Sequence, residues 1–248
     1  AADPCYCAVV VRINSPGGGV TASDMLRRDL EQFRLQTGLP VIASLLDLGA
    51  GGAYYLATAA DRIVAHPTTV TGGIGVILNL YNLQDTMAQA NVVATPVKAG
   101  DYVDLGTPIE AMDVEGRAIL QRIADEFHAR FRTVVRQSRG IAAPDESPLF
   151  DGRIFTAADA QRLGLVDEIG YLDDALQLAR HQSGQPQATA MILHRPRDRP
   201  KTIYAVTPNT PTQGGLIPLS VPGLERSRLP TFLYLWQPEP TLERLSGR

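Results

Sequence analysis

Three glycine-rich segments each follow a short apolar run. They are NSPGGG at 14–19, GAGG at 49–52 and TGGIG at 71–75. Because glycine has no side chain, its backbone N–H can approach a ligand closely, and pairs of such donors form oxyanion holes or anion-binding nests. Tight turns between strands and helices use glycine too. The glycines alone therefore indicate the loop edge of a sheet and leave its chemistry open.

Side chains that could attack a carbonyl are scarce near these segments. No serine occurs between Ser44 and Ser138, and Ser15 is the one serine inside a glycine segment. Lys98 and Lys201 are the only lysines, which limits the amines available as a base. A Ser-Lys pair needs a hydroxyl within hydrogen-bond reach of an amine whose pKa is lowered by burial. The sequence does not indicate such a pair.

Histidine and carboxylate chemistry are not favoured either. His66, which precedes a proline, is predicted to be structural, and Asp47 is predicted to organise its loop. Asp61 and Arg62 are predicted to form an ion pair with each other. No Ser-His-Asp triad or acid–base pair of carboxylates is indicated by this pattern.

Apolar runs and glycine turns alternate in a way that predicts strands followed by helices. The β-branched run at 8–13 is typical of a strand buried on both faces of a parallel sheet. The next helix is predicted to be capped by Thr21 or Ser23 and to end near Gly38. Further strands are predicted at 41–46, 62–65 and 92–97, and further helices at 53–60, 83–91 and 113–138. The pattern predicts an α/β fold with a mostly parallel sheet.

Composition excludes several functional classes. With 248 residues, 44% of them hydrophobic, the chain can bury a sizeable core. A net charge of -3 supplies no basic field, so no nucleic-acid partner is predicted. Cys5 and Cys7 have no second pair at zinc spacing, so neither a metal nor a cofactor is predicted.

The glycine segments and their neighbours resemble, in order and spacing, those of the S49 peptidases, which include signal peptide peptidase A. The matching segments are NSPGG at 14–18, DLGAGGAYY at 47–55, ADRIVA at 60–65, TGGIGV at 71–76, KAG at 98–100, GR at 152–153 and GLVDEIG at 164–170. This resemblance implies a ClpP/crotonase-like fold of repeated β-β-α units with a mostly parallel sheet, followed here by a proline-rich C-terminal extension.

The resemblance also implies that the catalytic residues are lost. In the family a serine nucleophile stands a few residues before the paired tyrosines, and a lysine base follows the KAG segment. The matching positions in this chain are Gly51 and Val103, and Gly73 replaces a further family serine. Glycine cannot attack a carbonyl and valine cannot transfer a proton, so no catalytic residue is predicted to be intact.

The oxyanion framework is implied to survive. The resemblance assigns its backbone donors to Gly18 and Gly52. Unpaired strand edges beside them would accept an extended peptide by β-augmentation. The residues predicted to line this groove are Gly17, Gly19, Gly72, Gly73 and Tyr102.

We therefore expect a noncatalytic S49 homologue, a pseudo-peptidase. It would bind extended peptides or membrane-protein segments, or act as a scaffold in a homo-oligomer or a hetero-oligomer with active paralogues. One alternative is an active serine endopeptidase in which Ser15 or a partner supplies the nucleophile. Another is a crotonase-like acyl-CoA enzyme that polarises a thioester with the same N–H pair. The family likeness implies a bacterial cell envelope location, with attachment through a segment absent from this chain, and leaves a cytoplasmic location open.

The chain is predicted to divide into two parts. Residues 1–182 form the S49-like domain, which is expected to lack its N-terminal part, and residues 183–248 form the proline-rich extension. Apolar islands at 190–193, 203–206 and 231–236 interrupt that extension and are predicted to be short strands or docking segments. The sequence does not decide what they dock on.

Overall fold

The computed structural model describes residues 5–193, residue 202 and residues 232–236. In chain order its strands are β1 (Val9–Ser15), β2 (Gly17–Gly19), β3 (Val41–Ala50), β4 (Arg62–Ala65), β5 (Val70–Gly72), β6 (Ile154–Thr156), β7 (Glu168–Ile169) and β8 (Leu233–Leu235). Its α-helices are α1 (Val20–Thr37), α2 (Gly52–Ala57), α3 (Gln84–Gln89), α4 (Val114–Arg139), α5 (Ala157–Arg162) and α6 (Leu172–Gln182), with a 3-10 turn at Pro148–Phe150. The orders β1-β2-α1 and β4-β5-α3 follow the expected β-β-α unit, whereas β3, β6 and β7 each lead directly into one helix.

A mostly parallel, six-stranded sheet lies at the centre of the described residues. Strand β3 pairs in parallel with β1, with β4 and, through its last residues, with β5. Strand β7 pairs in parallel with β4, and β6 pairs antiparallel with β5. The predicted α/β class is confirmed. The division at residue 182 stays a prediction, because most of the extension lies outside the described residues.

Helices cover both faces of the central strand β3. Adjacent residues of a strand point to opposite faces, and in β3 the neighbours Val41 and Ile42 are both fully buried. Val41 belongs to the cluster that contains Tyr55 of α2, while Ile42 packs with Ala175 of α6 on the other face. A strand buried on both faces needs an apolar residue at almost every position. That is why the run in β3 shows no alternation.

The three glycine segments meet at one edge of this sheet. The parallel strands β1, β3 and β5 all end there, with Ser15 in register with Gly49 and Ala50 in register with Gly72. The short β2 leaves the end of β1 and pairs with β8 in a separate two-stranded sheet. The fold thereby gathers residues that are more than fifty positions apart in the sequence.

Helix α4 confirms the long helix predicted at 113–138. Its N-cap is Asp113, whose carboxylate accepts a hydrogen bond from the Gly116 N–H at 2.6 Å. Phe131, Val134 and Val135 form its buried side. Neither α4 nor any other helix among the described residues is long and apolar enough to cross a membrane.

The start of α1 differs from the prediction. Gly19 is the N-cap, and neither Thr21 nor Ser23 caps the helix. The Ser23 hydroxyl instead donates to the Gly19 carbonyl at 2.9 Å, because the helix begins directly after β2 and leaves no residue between them. The C-terminal end is confirmed, with Gly38 in the left-handed conformation.

The strand predicted at 92–97 is wrong, because that stretch forms no regular structure. Val93 and Val97 are 81% and 102% exposed and have no strand beside them. β-Branched residues favour strands mainly through packing on a neighbour. The apolar island at 190–193 likewise forms no strand, and the one at 203–206 lies outside the described residues.

The ion pair predicted between Asp61 and Arg62 is also wrong, since each residue pairs elsewhere. Asp61 binds Arg34 of α1 at 2.7 Å and accepts the N–H of Val41 at 2.9 Å. Arg62 lies 3.2 Å from Asp167 in the loop before β7. Asp61 lies just before β4 and Arg62 is the first residue of β4, and the two side chains fasten different elements to the sheet.

Candidate functional site

Side chains and backbone fasten the three glycine segments to one another. Asn14 donates to Asp47 at 3.1 Å and accepts the Leu48 N–H at 3.1 Å, which joins the first segment to the second. The Thr71 hydroxyl donates to the Gly49 carbonyl at 2.6 Å, which joins the second to the third. Asp47 thus has the loop-organising role predicted for it. These hydrogen bonds hold the three glycine segments together at the edge of the sheet.

The glycines predicted as site residues lie in direct contact at this edge. The Gly51 N–H donates to the Gly72 carbonyl at 2.9 Å. A Cβ built on Gly73 would lie 3.2 Å from the Gly51 nitrogen, and one built on Gly52 would lie 3.3 Å from the Gly18 nitrogen. Six of the predicted residues are therefore brought together here: Gly17, Gly18, Gly51, Gly52, Gly72 and Gly73.

Gly51 occupies a turn that leads from β3 directly into α2. Its backbone angles are φ 54° and ψ −125°, outside the regions that residues with a Cβ adopt readily. In α/β-hydrolases a nucleophilic serine sits on such a strained strand-to-helix turn, with its hydroxyl presented above the sheet. The turn at Gly51 has this strand-to-helix form, and its assignment to the family's nucleophile position stays a prediction.

Strand β8 lies over this turn and forms hydrogen bonds along both of its edges. On one side it pairs with β2 in antiparallel register, Gly18 opposite Tyr234. On the other side Leu233 and Ile77 exchange both backbone hydrogen bonds, at 2.9 and 3.0 Å. We call the space between β2 and Ile77, with Gly51 at its base, the groove. The segment 232–236 fills it as an extended peptide.

The register places the backbone of Tyr234 against Gly18. The pairs two residues away in each direction are joined by hydrogen bonds. The Val20 N–H donates to the Phe232 carbonyl at 3.1 Å, and the Trp236 N–H donates to the Pro16 carbonyl at 3.0 Å. In an antiparallel ladder, hydrogen-bonded pairs alternate with pairs that are not hydrogen-bonded. Gly18 and Tyr234, midway between these two pairs, are therefore also a hydrogen-bonded pair. The Gly18 N–H therefore faces the carbonyl of Tyr234.

A second predicted donor lies close to the same carbonyl. The point where a Cβ of Gly17 would stand is 2.7 Å from the nitrogen of Gly52 and overlaps the carbonyl oxygen of Tyr234. Gly17 also has a positive φ of 115°, a conformation that favours glycine. The backbone nitrogen of Gly52 thus lies near the carbonyl that faces Gly18. The oxyanion-hole role of Gly18 and Gly52 stays a prediction.

An aromatic pocket beneath the groove holds the side chain of Tyr234. The residue is fully buried, with its ring centroid 5.1 Å from that of Tyr55 and 4.6 Å from that of Phe131. Its hydroxyl donates to the carbonyl of Phe127 at 2.8 Å, and burial raises its pKa well above the usual value. The pocket therefore accepts an aromatic ring with one hydrogen-bond donor at its far end.

A partly buried polar contact supports the floor of this pocket. The Tyr55 hydroxyl donates to Asp24 of α1 at 2.6 Å, and Arg130 of α4 binds the same oxygen at 2.7 Å. Burial, together with this hydrogen bond, raises the pKa of Tyr55 to about 12. Although burial by itself raises the pKa of Asp24, the bonds from Tyr55 and Arg130 lower it below the usual value. Three helices are tied together at this point.

The described nucleophiles and bases near the groove have other tasks. The Ser15 hydroxyl accepts the Gly17 N–H at 3.2 Å and points to the Gly17 carbonyl at 3.3 Å, so it shapes its own turn. His66 contacts Thr68 and stacks edge-on against Tyr171, in agreement with the structural role predicted for it.

Lys98 does not have the environment of a general base. Its amine lies 2.6 Å from Asp104 and 3.0 Å from Glu110. Hydrogen bonds from the amine raise the pKa of Lys98, and the bond to Asp104 contributes more than the bond to Glu110. A catalytic lysine needs the opposite shift, because only the neutral amine accepts a proton.

Two of the predicted site residues lie away from the contacts of Gly51. Tyr102 is 40% exposed and Val103 is 68% exposed, both in the turn that follows Lys98. A hydrogen bond to Glu115 raises the pKa of Tyr102 to about 12. The groove role of Tyr102 and the base position at Val103 stay predictions.

The residues that sequence reasoning missed lie far from the glycines in the chain. Tyr234, Phe127 and Phe131 form the pocket, yet none belongs to a glycine segment. A signal did exist, since aromatic residues alternate in FLYLW at 232–236, the period of a strand. That pattern predicts a strand but does not name its partner. The structure docks this island on the body of the protein.

Comparison with known proteins identifies related sequences. A model of peptidase family S49 matches residues 34–185. The chain is 36% identical over 175 residues to a putative protease of Methanocaldococcus jannaschii, covering 71% of this chain and 56% of that protein. It is 36% identical over 179 residues to a putative protease of Synechocystis (72% and 64%), and 33% identical over 177 residues to protease 4 of Salmonella typhi (71% and 28%).

The chain thus spans less than two thirds of the length of each of these relatives. A solved structure of a ClpP1 mutant from Listeria monocytogenes aligns with a TM-score of 0.42 at 17% identity, covering 70% of this chain and 80% of that one. The family model alone matches more than half of the sequence. The chain belongs to peptidase family S49.

Proposed function

We propose that this S49 homologue is catalytically inert and that its groove binds peptides in extended conformation. The observation that carries the proposal is the position of Tyr234. Its backbone carbonyl faces Gly18 and lies against Gly51, a residue that has no side chain. A peptide carbonyl thus lies against the position that the family likeness assigns to the nucleophile, and glycine has no side chain with which to attack it.

The groove is suited to binding because it supplies main-chain hydrogen bonds on two sides. A peptide between β2 and Ile77 gains the bonds of a middle strand whatever its side chains are. Such strand addition is a common mode of peptide recognition. In a peptidase the N–H pair stabilises the developing oxyanion. Without a nucleophile, the same pair contributes binding energy to an unreacted carbonyl.

The alternative of an active peptidase using Ser15 is not favoured by its contacts. Its hydroxyl is engaged with the backbone of Gly17, and the described lysine, Lys98, is paired with two carboxylates. Assembly with active paralogues and a cell envelope location belong to this proposal as predictions from the family likeness.

Turnover of a fluorogenic peptide library by the purified protein tests the proposal. An active S49 peptidase serves as positive control, and a Ser15→Ala variant serves as matched control. We expect the wild type and the variant to give the same background rate and no labelling by a serine-directed phosphonate. Turnover that is abolished in Ser15→Ala would establish an active peptidase and overturn the proposal.

A further inference from the structure

We infer that the chain's own segment 232–236 is the resident ligand of the groove, and that the groove selects ligands with a tyrosine at the site of Tyr234. The inference rests on the proposed function and deepens it. It names both the peptide that occupies the groove first and the chemical class of peptide that can replace it.

The segment is bound as a ligand is bound, through edges and a pocket. Strand β8 is not part of the central sheet, and its described partners are β2 and the single residue Ile77. The backbone of the segment fits because Gly17 and Gly51 have no side chain. A Cβ on either residue would overlap the carbonyl of Tyr234. The groove is thus shaped around the backbone of an extended peptide.

One side chain of the segment provides most of the specific contact. Tyr234 is fully buried, whereas Leu233 and Leu235 on either side are only partly buried. The ring fills the pocket between Tyr55 and Phe131. Aromatic anchors in desolvated pockets commonly dominate binding energy.

The far end of the pocket distinguishes tyrosine from phenylalanine. The Phe127 carbonyl accepts the phenol hydroxyl at 2.8 Å. A phenylalanine would fill the same volume but leave that carbonyl without this donor. Losing one neutral hydrogen bond of this kind weakens binding by about fivefold, whereas alanine would also lose the ring contacts.

A tethered ligand raises a barrier to every other peptide. Because the segment belongs to the same chain, its effective concentration at the groove is high. A free peptide can bind only the small fraction of grooves that are open, so its apparent affinity is the intrinsic affinity multiplied by that fraction. Weakening the resident segment raises that fraction and strengthens the binding of free peptide.

The experiment uses the full chain and a fluorescein-labelled peptide with the sequence TFLYLWQ of residues 231–237. Its apparent Kd is measured against wild type, Tyr234→Phe and Tyr234→Ala, each checked for a cooperative melting transition. We expect Tyr234→Ala to bind the peptide at least about tenfold more tightly than wild type, with Tyr234→Phe in between. On Tyr234→Ala, peptides carrying phenylalanine or alanine in place of the tyrosine should bind about five and more than about thirty times more weakly.

A second measurement needs no variant. Trp236 is the only tryptophan of the chain and ends the segment, so its emission reports on displacement. Excess unlabelled peptide in which the tryptophan is replaced by phenylalanine should shift the emission of wild type to longer wavelength.

The outcomes separate the two proposals. Equal peptide affinity for wild type and Tyr234→Ala, with unchanged Trp236 emission, would overturn the resident ligand while leaving peptide binding intact. Equal affinity for the tyrosine, phenylalanine and alanine peptides would overturn the selectivity. Absence of binding to every variant would overturn the proposed function itself.

Discussion

The carbonyl oxygen of Tyr234 lies 2.5 Å from the point at which a Cβ of Gly51 would stand, and its carbonyl carbon lies 2.8 Å from that point. Both distances are too short for a nonbonded contact. A side chain at position 51 and the segment 232–236 therefore compete for the same space. The absence of a side chain at Gly51 thus makes room for the occupant of the groove.

The first prediction concerns this competition. Gly51→Ser adds a Cβ at φ 54° and against the backbone of Tyr234, so we expect the free energy of unfolding to fall by about 1–3 kcal/mol. The emission of Trp236 should shift to longer wavelength as the segment is expelled. Urea titration followed by circular dichroism and by fluorescence measures both effects.

Gly18→Ala is the matched control for that variant. A Cβ on Gly18 would meet nothing within 4 Å, and the backbone N–H that faces Tyr234 is kept. We expect stability to change by no more than about 0.5 kcal/mol. Equal losses in the two variants would show that the space above Gly51 is not the cause.

The second prediction concerns the support beneath the pocket. Tyr55→Phe keeps the ring that packs on Tyr234 but removes the hydroxyl that donates to Asp24 at 2.6 Å. Because the acceptor is charged, we expect a loss of about 1.5–3 kcal/mol in the free energy of unfolding. Asp24→Asn combined with Tyr55→Phe should cost less than the sum of the single changes. Additive effects would contradict direct coupling between the two side chains.

The third prediction concerns pH. His128 contacts the Ile74 carbonyl at 3.0 Å, and burial, reinforced by the positive charge of Arg132, lowers its pKa below the ordinary value. The unfolded chain therefore takes up this proton first as the pH falls. The stabilising effect is fully present above about pH 6.5 and is lost as the pH falls toward the lowered pKa of the folded state. Urea unfolding at pH 7.5 and pH 5 should show the loss, and His128→Gln should reduce it.

The fourth prediction concerns Lys98. Its hydrogen bonds to Asp104 and Glu110 raise its pKa, so the amine should titrate above the ordinary value of about 10.4. Reductive ¹³C-methylation gives a simple NMR spectrum because the chain has two lysines, and Lys98→Arg assigns the signal. Asp104→Asn should lower the measured pKa. A value below the ordinary one would instead identify Lys98 as a candidate base.

The local signals of the sequence were good guides wherever a single segment decides its own structure. The apolar run at 41–46 predicts a buried strand, and Asp113 and Gly38 mark a helix start and a helix end that the structure confirms. The run at 8–13 also forms a strand, but the prediction that it is buried on both faces is wrong, because in β1 only Ile13 is fully buried. The glycine segments predict turns at the ends of strands, and the strands do end there.

Predictions failed where the structure of a segment depends on a strand or a charged residue from elsewhere in the chain. The valines at 92–97 have strand propensity but no neighbouring edge to pair with. Asp61 and Arg62 are adjacent in sequence, yet each finds its partner in another element. Pairing of strands and charges depends on what the fold brings near, which composition and spacing do not encode.

The sequence by itself determined the family, the fold class and the absence of a side chain at position 51, because these follow from residue types in fixed order. Only the tertiary structure decided what fills the groove. The contact between Tyr234 and Gly18 joins residues separated by almost the whole chain. The pocket that selects Tyr234 is assembled from α2 and α4, and such a site exists only when the sheet has brought those helices together.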